Sequence, residues 1–113
     1  TLAAHVVHFD FDSAVVKSSE RPNVEAVAAY MKSTLKVALL VEGHCDERGT
    51  EEYNRALGER RALALREALI SSGADASRIT TRSFGEDKPV AMGHDESAWR
   101  QNRRGEFVVL HPK

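Results

Sequence analysis

Apolar residues along the chain recur at two periods, two and roughly 3.6, and each change of period marks a new element. HVVHF, residues 5–9, alternates and predicts a first strand, after which FDSAVVKSSE, residues 11–20, reads as a polar loop. Val24, Val27, Ala28 and Met31 then recur at i, i+3, i+4 and i+7, which predicts a helix with one buried face. Ser18 or Ser19 can cap that helix, and Pro22 suits its first turn. KVALLVE, residues 36–42, is a nearly continuous apolar run of strand length and predicts a central strand covered on at least one side.

A long helix follows. Thr50 is its expected N-cap, Glu51 and Glu52 favour its positive end, and it runs to Ser72 with Gly73 as a left-handed stop. ITTRSF, residues 79–84, predicts a third strand; Gly85 and Pro89 mark a loop; Asp95 caps a short helix through DESAWRQN; and GEFVVLH, residues 105–111, predicts the last strand. The order fits a single α+β domain over residues 1–113, a βαβαβ(α)β sandwich with one mixed four-stranded sheet and the two main helices on one face.

At roughly 100° per residue, Tyr53, Leu57, Ala64, Leu65, Ala68 and Leu69 share one arc of the long helix. Asn54, Gly58 and Arg61 fall in the same arc and Arg60 at its polar edge, so the inward face is apolar in its C-terminal half and polar in its N-terminal half. An inward arginine needs an acceptor, because an unpaired buried charge is too costly. The loop just before the helix offers Asp46. The two can form a salt bridge that pins loop to helix, or together grip a zwitterion, the carboxylate taking an ammonium and the guanidinium fork a carboxylate.

Composition narrows the function classes. With 113 residues and 42% hydrophobic content there is enough for one modest core, and a net charge of −1 with pI ≈ 6.5 gives no global attraction to nucleic acid or anionic membranes. No apolar run approaches the ~20 residues of a spanning helix, and no signal peptide precedes Thr1. Cys45 is the only cysteine; it is expected to fill a small slot beside the loop, with adventitious dimers as the other possibility, since His44 beside it is a poor base for a nucleophile. His44, Asp46, His94 and Asp95 match no dedicated zinc spacing. No nucleophile elbow or activated acid–base pair is visible, so neither catalysis nor a metal or cofactor is expected.

GHCDERGTEEYNRALGERRA, residues 43–62, closely resembles the core motif of the OmpA-like peptidoglycan-binding domain in its peptidoglycan-associated lipoprotein (Pal) branch, GH-x-DERGT-x-EYN-x-x-LGERRA. GEDKPVAMGHDESAWRQNRR, residues 85–104, is similar to that branch's later motif G-x-x-KP-x-x-x-GHDE-x-A-x-x-x-NRR. The resemblance implies that Asp46 and Arg61 bind the ammonium and carboxylate of the D-centre of meso-diaminopimelate, with Arg48, Asn54 and Leu57 lining the same pocket. It also implies ligand contacts from the FDFDS segment, namely Phe11 and Asp12 with Ser13 beside them. Alternation points Phe9 and Phe11 to the same face, and one of them is expected in the core. Asp10 stands where the branch often carries a small residue, a mild departure that bears on the local shape of the pocket's rim. Arg103 and Arg104 match the family's NRR; one is expected to be an edge charge and the other to hold the ligand loop or the sheet end.

The function implied is non-catalytic binding of the peptidoglycan stem peptide, tethering the outer membrane to the wall in a Tol-Pal type system. The resemblance further implies a periplasmic location, an outer-membrane lipid anchor lying outside this sequence, and docking of a TolB-like β-propeller. Alternatives are a porin tail of OmpA type or a flagellar-motor anchor within the family, or a protein-interaction module that docks TolB. A wall hydrolase would need a catalytic constellation that the sequence does not offer.

Overall fold

The computed structural model describes residues 2–112. Four strands, β1 (Val7–His8), β2 (Ala38–His44), β3 (Ile79–Gly85) and β4 (Arg104–Leu110), form one sheet in the order β1-β4-β2-β3. β4 runs antiparallel to both β1 and β2, whereas β2 and β3 are parallel, so the sheet is mixed. Parallel neighbours need a crossover, and α2 (Glu51–Ser71) provides it; α1 (Arg21–Ser33) joins β1 to β2, and the short α3 (Glu96–Asn102) precedes β4.

The core forms where the periodicities meet. Val24, Val27, Ala28 and Met31 of α1 and Leu65 and Leu69 of α2 are buried together with Leu39, Val41, Ile79 and Phe107 from the sheet. The register sets Val41 beside Phe107 and Leu39 beside both Ile79 and Val109. Each such aliphatic side chain contributes about 1.5–3 kcal/mol on burial. Alternate positions of β2 and β4, among them Glu42, His44, Arg104 and Glu106, point to the opposite face. No helix among the described residues is long and apolar enough to cross a membrane.

The caps of α2 and α3 are as expected. Thr50 Oγ1 accepts the Tyr53 N–H at 3.0 Å, Asp95 accepts from Ala98, and Gly73 after α2 sits at φ +101°.

Four expectations need correction. The first strand shrinks to two residues because Ala3–His5 coils into a 3-10 turn, with the Leu2 N–H on the Phe107 carbonyl. Neither Ser18 nor Ser19 caps α1: with Glu20 they form a 3-10 turn, and the Glu20 carboxylate, at the N-cap position, accepts the His8 N–H instead. Tyr53 is 43% exposed, and Ala62 rather than Ala64 is fully buried. Phe9 and Phe11 do not share a face: a turn closed by Ser13 N–H on the Asp10 carbonyl separates them, leaving Phe9 in the core and Phe11 in solvent.

Candidate functional site

β2 and α2 meet through glycine. A Cβ on Gly43 would lie 1.7 Å from the Gly58 carbonyl oxygen, so only glycine lets strand end and helix touch main chain to main chain. That contact brings the next turn of the helix, with Arg61, up to the last residue of the strand. The loop between them is held from inside. Asn54 Nδ2 donates to the Asp46 carbonyl at 3.3 Å and to Glu86 at 3.1 Å, and the Cys45 thiol donates to the Asn54 carbonyl. Cys45 is buried and fills a small slot beside the loop, and burial pushes its thiol up from its ordinary range.

These elements enclose a pocket of about 80 Å³. Asp46, Arg48, Asn54, Leu57 and Arg61 line it together with Phe11 and Asp12, so seven of the residues singled out by sequence converge. Gly49, Tyr53 and Cys45 complete the wall. Ser13 contributes through its carbonyl alone. Drug-sized ligands need roughly 300–1,000 Å³. This cavity is well below that range.

Arg61 forms the inner wall and is 1% exposed, the largest fully buried side chain among the described residues. It makes no salt bridge with Asp46. Its Nε donates to the Ser13 carbonyl at 2.8 Å, Nη1 to the His44 carbonyl at 2.9 Å and Nη2 to the Asp10 carbonyl at 3.1 Å. Three of its five N–H donors are thereby engaged, leaving one on each terminal nitrogen. The Phe9 ring stacks 5.2 Å from the guanidinium carbon. Burial lowers the Arg61 pKa, the mark of a cation held away from water without a full counter-charge.

Asp46, 4% exposed, pairs instead with Arg48. Arg48 Nη2 reaches Oδ2 at 2.7 Å, while its Nε and its own backbone N–H reach Oδ1 at 3.3 and 3.0 Å. The same guanidinium lies between the Phe11 ring at 4.0 Å and the Trp99 ring at 4.1 Å. Asp12 takes φ +53°, which lets the 10–13 turn fold back over the pocket. Asp10 does not line the pocket: its carboxylate turns to Lys17 at 3.0 Å and only its carbonyl faces Arg61.

The expectation of an edge charge at Arg103 or Arg104 fails for both. β4 lies inside the sheet, between β1 and β2, and both arginines are buried. Arg103 stands behind the pocket, donating to the Phe9 carbonyl at 2.8 Å and to Glu96, with Nη1 3.7 Å from Asp46. Arg104 is on the other sheet face, bonded to Glu106 and to the carbonyls of Lys88 and Asn102, and does not line the pocket. His44 also points to that face, bonded to Glu42 and stacked on Phe84 at 5.4 Å. His94 pairs with Glu47, whose pKa is lowered by hydrogen bonds from Trp99 and His94. Among the described residues no group of three or more His, Cys, Asp or Glu could hold a metal ion.

Sequence reasoning missed the main-chain acceptors of Arg61 and the ring of Trp99. A carbonyl has no residue signature. Trp99, an aromatic residue within the DESAW stretch next to the charged loop, was the one signal available.

The OmpA family model matches residues 8–103. The peptidoglycan-associated lipoprotein of Agrobacterium fabrum is 46% identical over 103 residues, which cover 91% of this chain and 58% of that protein. The crystal structure of the peptidoglycan-associated lipoprotein from Burkholderia pseudomallei superposes with a TM-score of 0.91 at 45% identity, covering 96% of this chain and 92% of that one. The C-terminal domain of Helicobacter pylori MotB superposes at 0.87 with 19% identity, covering 95% and 84%, a likeness of fold alone.

Proposed function

The chain belongs to the OmpA family, in its peptidoglycan-associated lipoprotein branch, and on that premise we propose that the pocket binds the zwitterionic end of meso-diaminopimelate in a peptidoglycan stem peptide. Binding is an equilibrium without catalysis. It tethers the outer membrane to the wall from the periplasm, as part of a Tol-Pal type system in which a TolB-like β-propeller is a further partner and an N-terminal lipid outside this sequence is the anchor. The porin-tail and motor-anchor alternatives have less support, because the likeness to MotB stops at the fold while the Agrobacterium fabrum lipoprotein is 46% identical over the 103 residues it aligns with this chain.

The observation that carries this reading is Arg61. A cation 1% exposed, with no carboxylate partner among the described residues and two N–H donors left over beside a small cavity, is completed by an incoming carboxylate. Asp46 lines the same cavity and supplies the negative group for an ammonium on the same carbon. A ligand without the carboxylate leaves Arg61 uncompleted, and such a mismatch discriminates strongly.

Calorimetry with free meso-diaminopimelate and with a diaminopimelate-containing stem peptide tests the proposal. Both are expected to bind, Asp46→Asn is expected to weaken both, and intact sacculi are expected to bind without releasing soluble fragments. Absence of binding to either ligand, or unchanged affinity in Asp46→Asn, overturns it.

A further inference from the structure

Asp46 already has a cation. Both its oxygens face Arg48, Oδ1 through the backbone N–H and Nε and Oδ2 through Nη2, and its side chain is only 5% exposed. A ligand ammonium that is to reach this carboxylate has to take the place of a guanidinium. Arg48 is placed for such an exchange: its side chain is 31% exposed, it belongs to the loop rather than to a helix or strand, and Phe11, one of the two rings that flank it, is itself 59% exposed.

The charges around the cavity decide which ligand can make the exchange. Arg48, Arg61 and Arg103 all lie close to Asp46 or to the same cavity, and Asp46 is shared between Arg48 and Arg103. A simple amine that displaced Arg48 would add a positive charge to this group and release a guanidinium with no new partner. A zwitterion adds no net charge, and its carboxylate can be received by Arg61 and by the displaced Arg48 together.

We propose that Arg48 is a specificity-determining residue of this site, an internal stand-in for the ligand's ammonium that yields Asp46 only to a ligand bringing a carboxylate with it. The inference rests on the reading of the pocket as a zwitterion site. It goes further in assigning the rejection of plain amines to competition by one side chain of the protein. The strengthening of the Arg48 cation by its hydrogen bonds to Asp46, which raises its pKa, accords with a contact that must be out-competed.

The test uses the whole chain with three probes: free meso-diaminopimelate, methylammonium and acetate. In the wild type, diaminopimelate binds and methylammonium does not, and the Arg48 Nε–H resonance shifts on adding diaminopimelate but not acetate. In Arg48→Ala and Arg48→Gln the preference for diaminopimelate over methylammonium falls by about tenfold or more, the range lost with one charged hydrogen-bonding partner. Two variants of different size, each checked by thermal denaturation, separate loss of the side chain from loss of the fold. If diaminopimelate binds and the Arg48 resonance stays in place, or if both folded variants reject methylammonium as the wild type does, the exchange is wrong while the pocket assignment stands. If the wild type does not bind diaminopimelate at all, the pocket assignment fails and the exchange fails with it.

Discussion

The two halves of α2 keep the same helical phase and do opposite work. In the C-terminal half, Ala62, Leu65 and Leu69 are fully buried against the sheet, and a Cβ added to Gly105 of β4 would lie 2.1 Å from the Leu65 methyl. In the N-terminal half the same face presents Asn54, Leu57, Gly58 and Arg61 to a loop and a cavity. What differs is the surface opposite. The sheet offers side chains without unsatisfied polar groups, so an apolar face is stable there; the strand ends and the 10–13 turn offer carbonyls, so a buried guanidinium is stable there. A helix can therefore anchor a domain and carry its site without changing the face it turns inward.

The largest effect is expected at Arg61, where the two roles meet. From the helix face alone, Arg61→Ala would be expected to abolish binding and spare the fold. Its three carbonyl contacts change that expectation: truncation orphans one buried acceptor, at about 1–3 kcal/mol, and two part-buried ones that water can reach in part, as well as removing the ligand's partner at about 2–5 kcal/mol. Arg61→Ala should thus lower both the melting temperature and the affinity. Arg61→Lys, which keeps the charge and loses the fork, should stay more stable than Arg61→Ala and still bind at least tenfold more weakly than wild type. Full stability in Arg61→Ala would show that the carbonyl contacts hold nothing.

Leu65→Ala comes next. It should cost roughly 2–5 kcal/mol in denaturant unfolding and leave the affinity of the folded fraction unchanged. An unchanged unfolding midpoint would erase the distinction between the two halves.

Gly58→Ala probes the join between them. The new Cβ would sit 2.3 Å from Ser83 Oγ, which donates to the Arg55 carbonyl, and 3.0 Å from the Gly43 carbonyl oxygen, so the hydroxyl must give up that bond or α2 must shift on the sheet. The expected cost is about 1–3 kcal/mol, with weaker binding because Arg61 moves with the helix.

A smaller effect is expected from pH. Burial, and then the charge of Arg104, lowers the His44 pKa below its ordinary value near 6.5, against the opposing pull of the Glu42 hydrogen bond. Below that value the unfolded chain takes up the proton more readily than the folded one, so stability is lost as pH falls through about 6.5 toward the folded pKa. Thermal melts in that window should show the loss, and His44→Gln should flatten it. Smallest of all, Arg60→Ala should change stability by no more than about 0.5 kcal/mol and leave binding intact. Arg60 is exposed, one residue from the pocket, and its guanidinium carbon lies 6.0 Å from the Tyr53 ring. A binding defect there would place the ligand on the outer face of the helix.

Much of this molecule follows from local pattern. The 3.6-residue spacing of Val24 to Met31, the Thr50 and Asp95 caps, the Gly73 stop and the burial of Arg61 are properties of one segment and its neighbours in sequence, and each is as the chain alone predicts. The convergence of Asp46, Arg48, Asn54, Leu57 and Arg61 was legible through their resemblance to a family motif. The partners of the buried charges were not. Arg61 donates to carbonyls 17, 48 and 51 positions away, and Arg103 to one 94 positions away. Periodicity reports which way a side chain leaves its own helix or strand, but a main-chain acceptor looks alike at every residue. Only closing the sheet and folding the 10–13 turn over its end decides which carbonyls arrive. The same closure put β4 inside the sheet, burying two arginines that strand pattern alone would leave at an edge, and set Phe9 in the core while turning Phe11 out over Arg48.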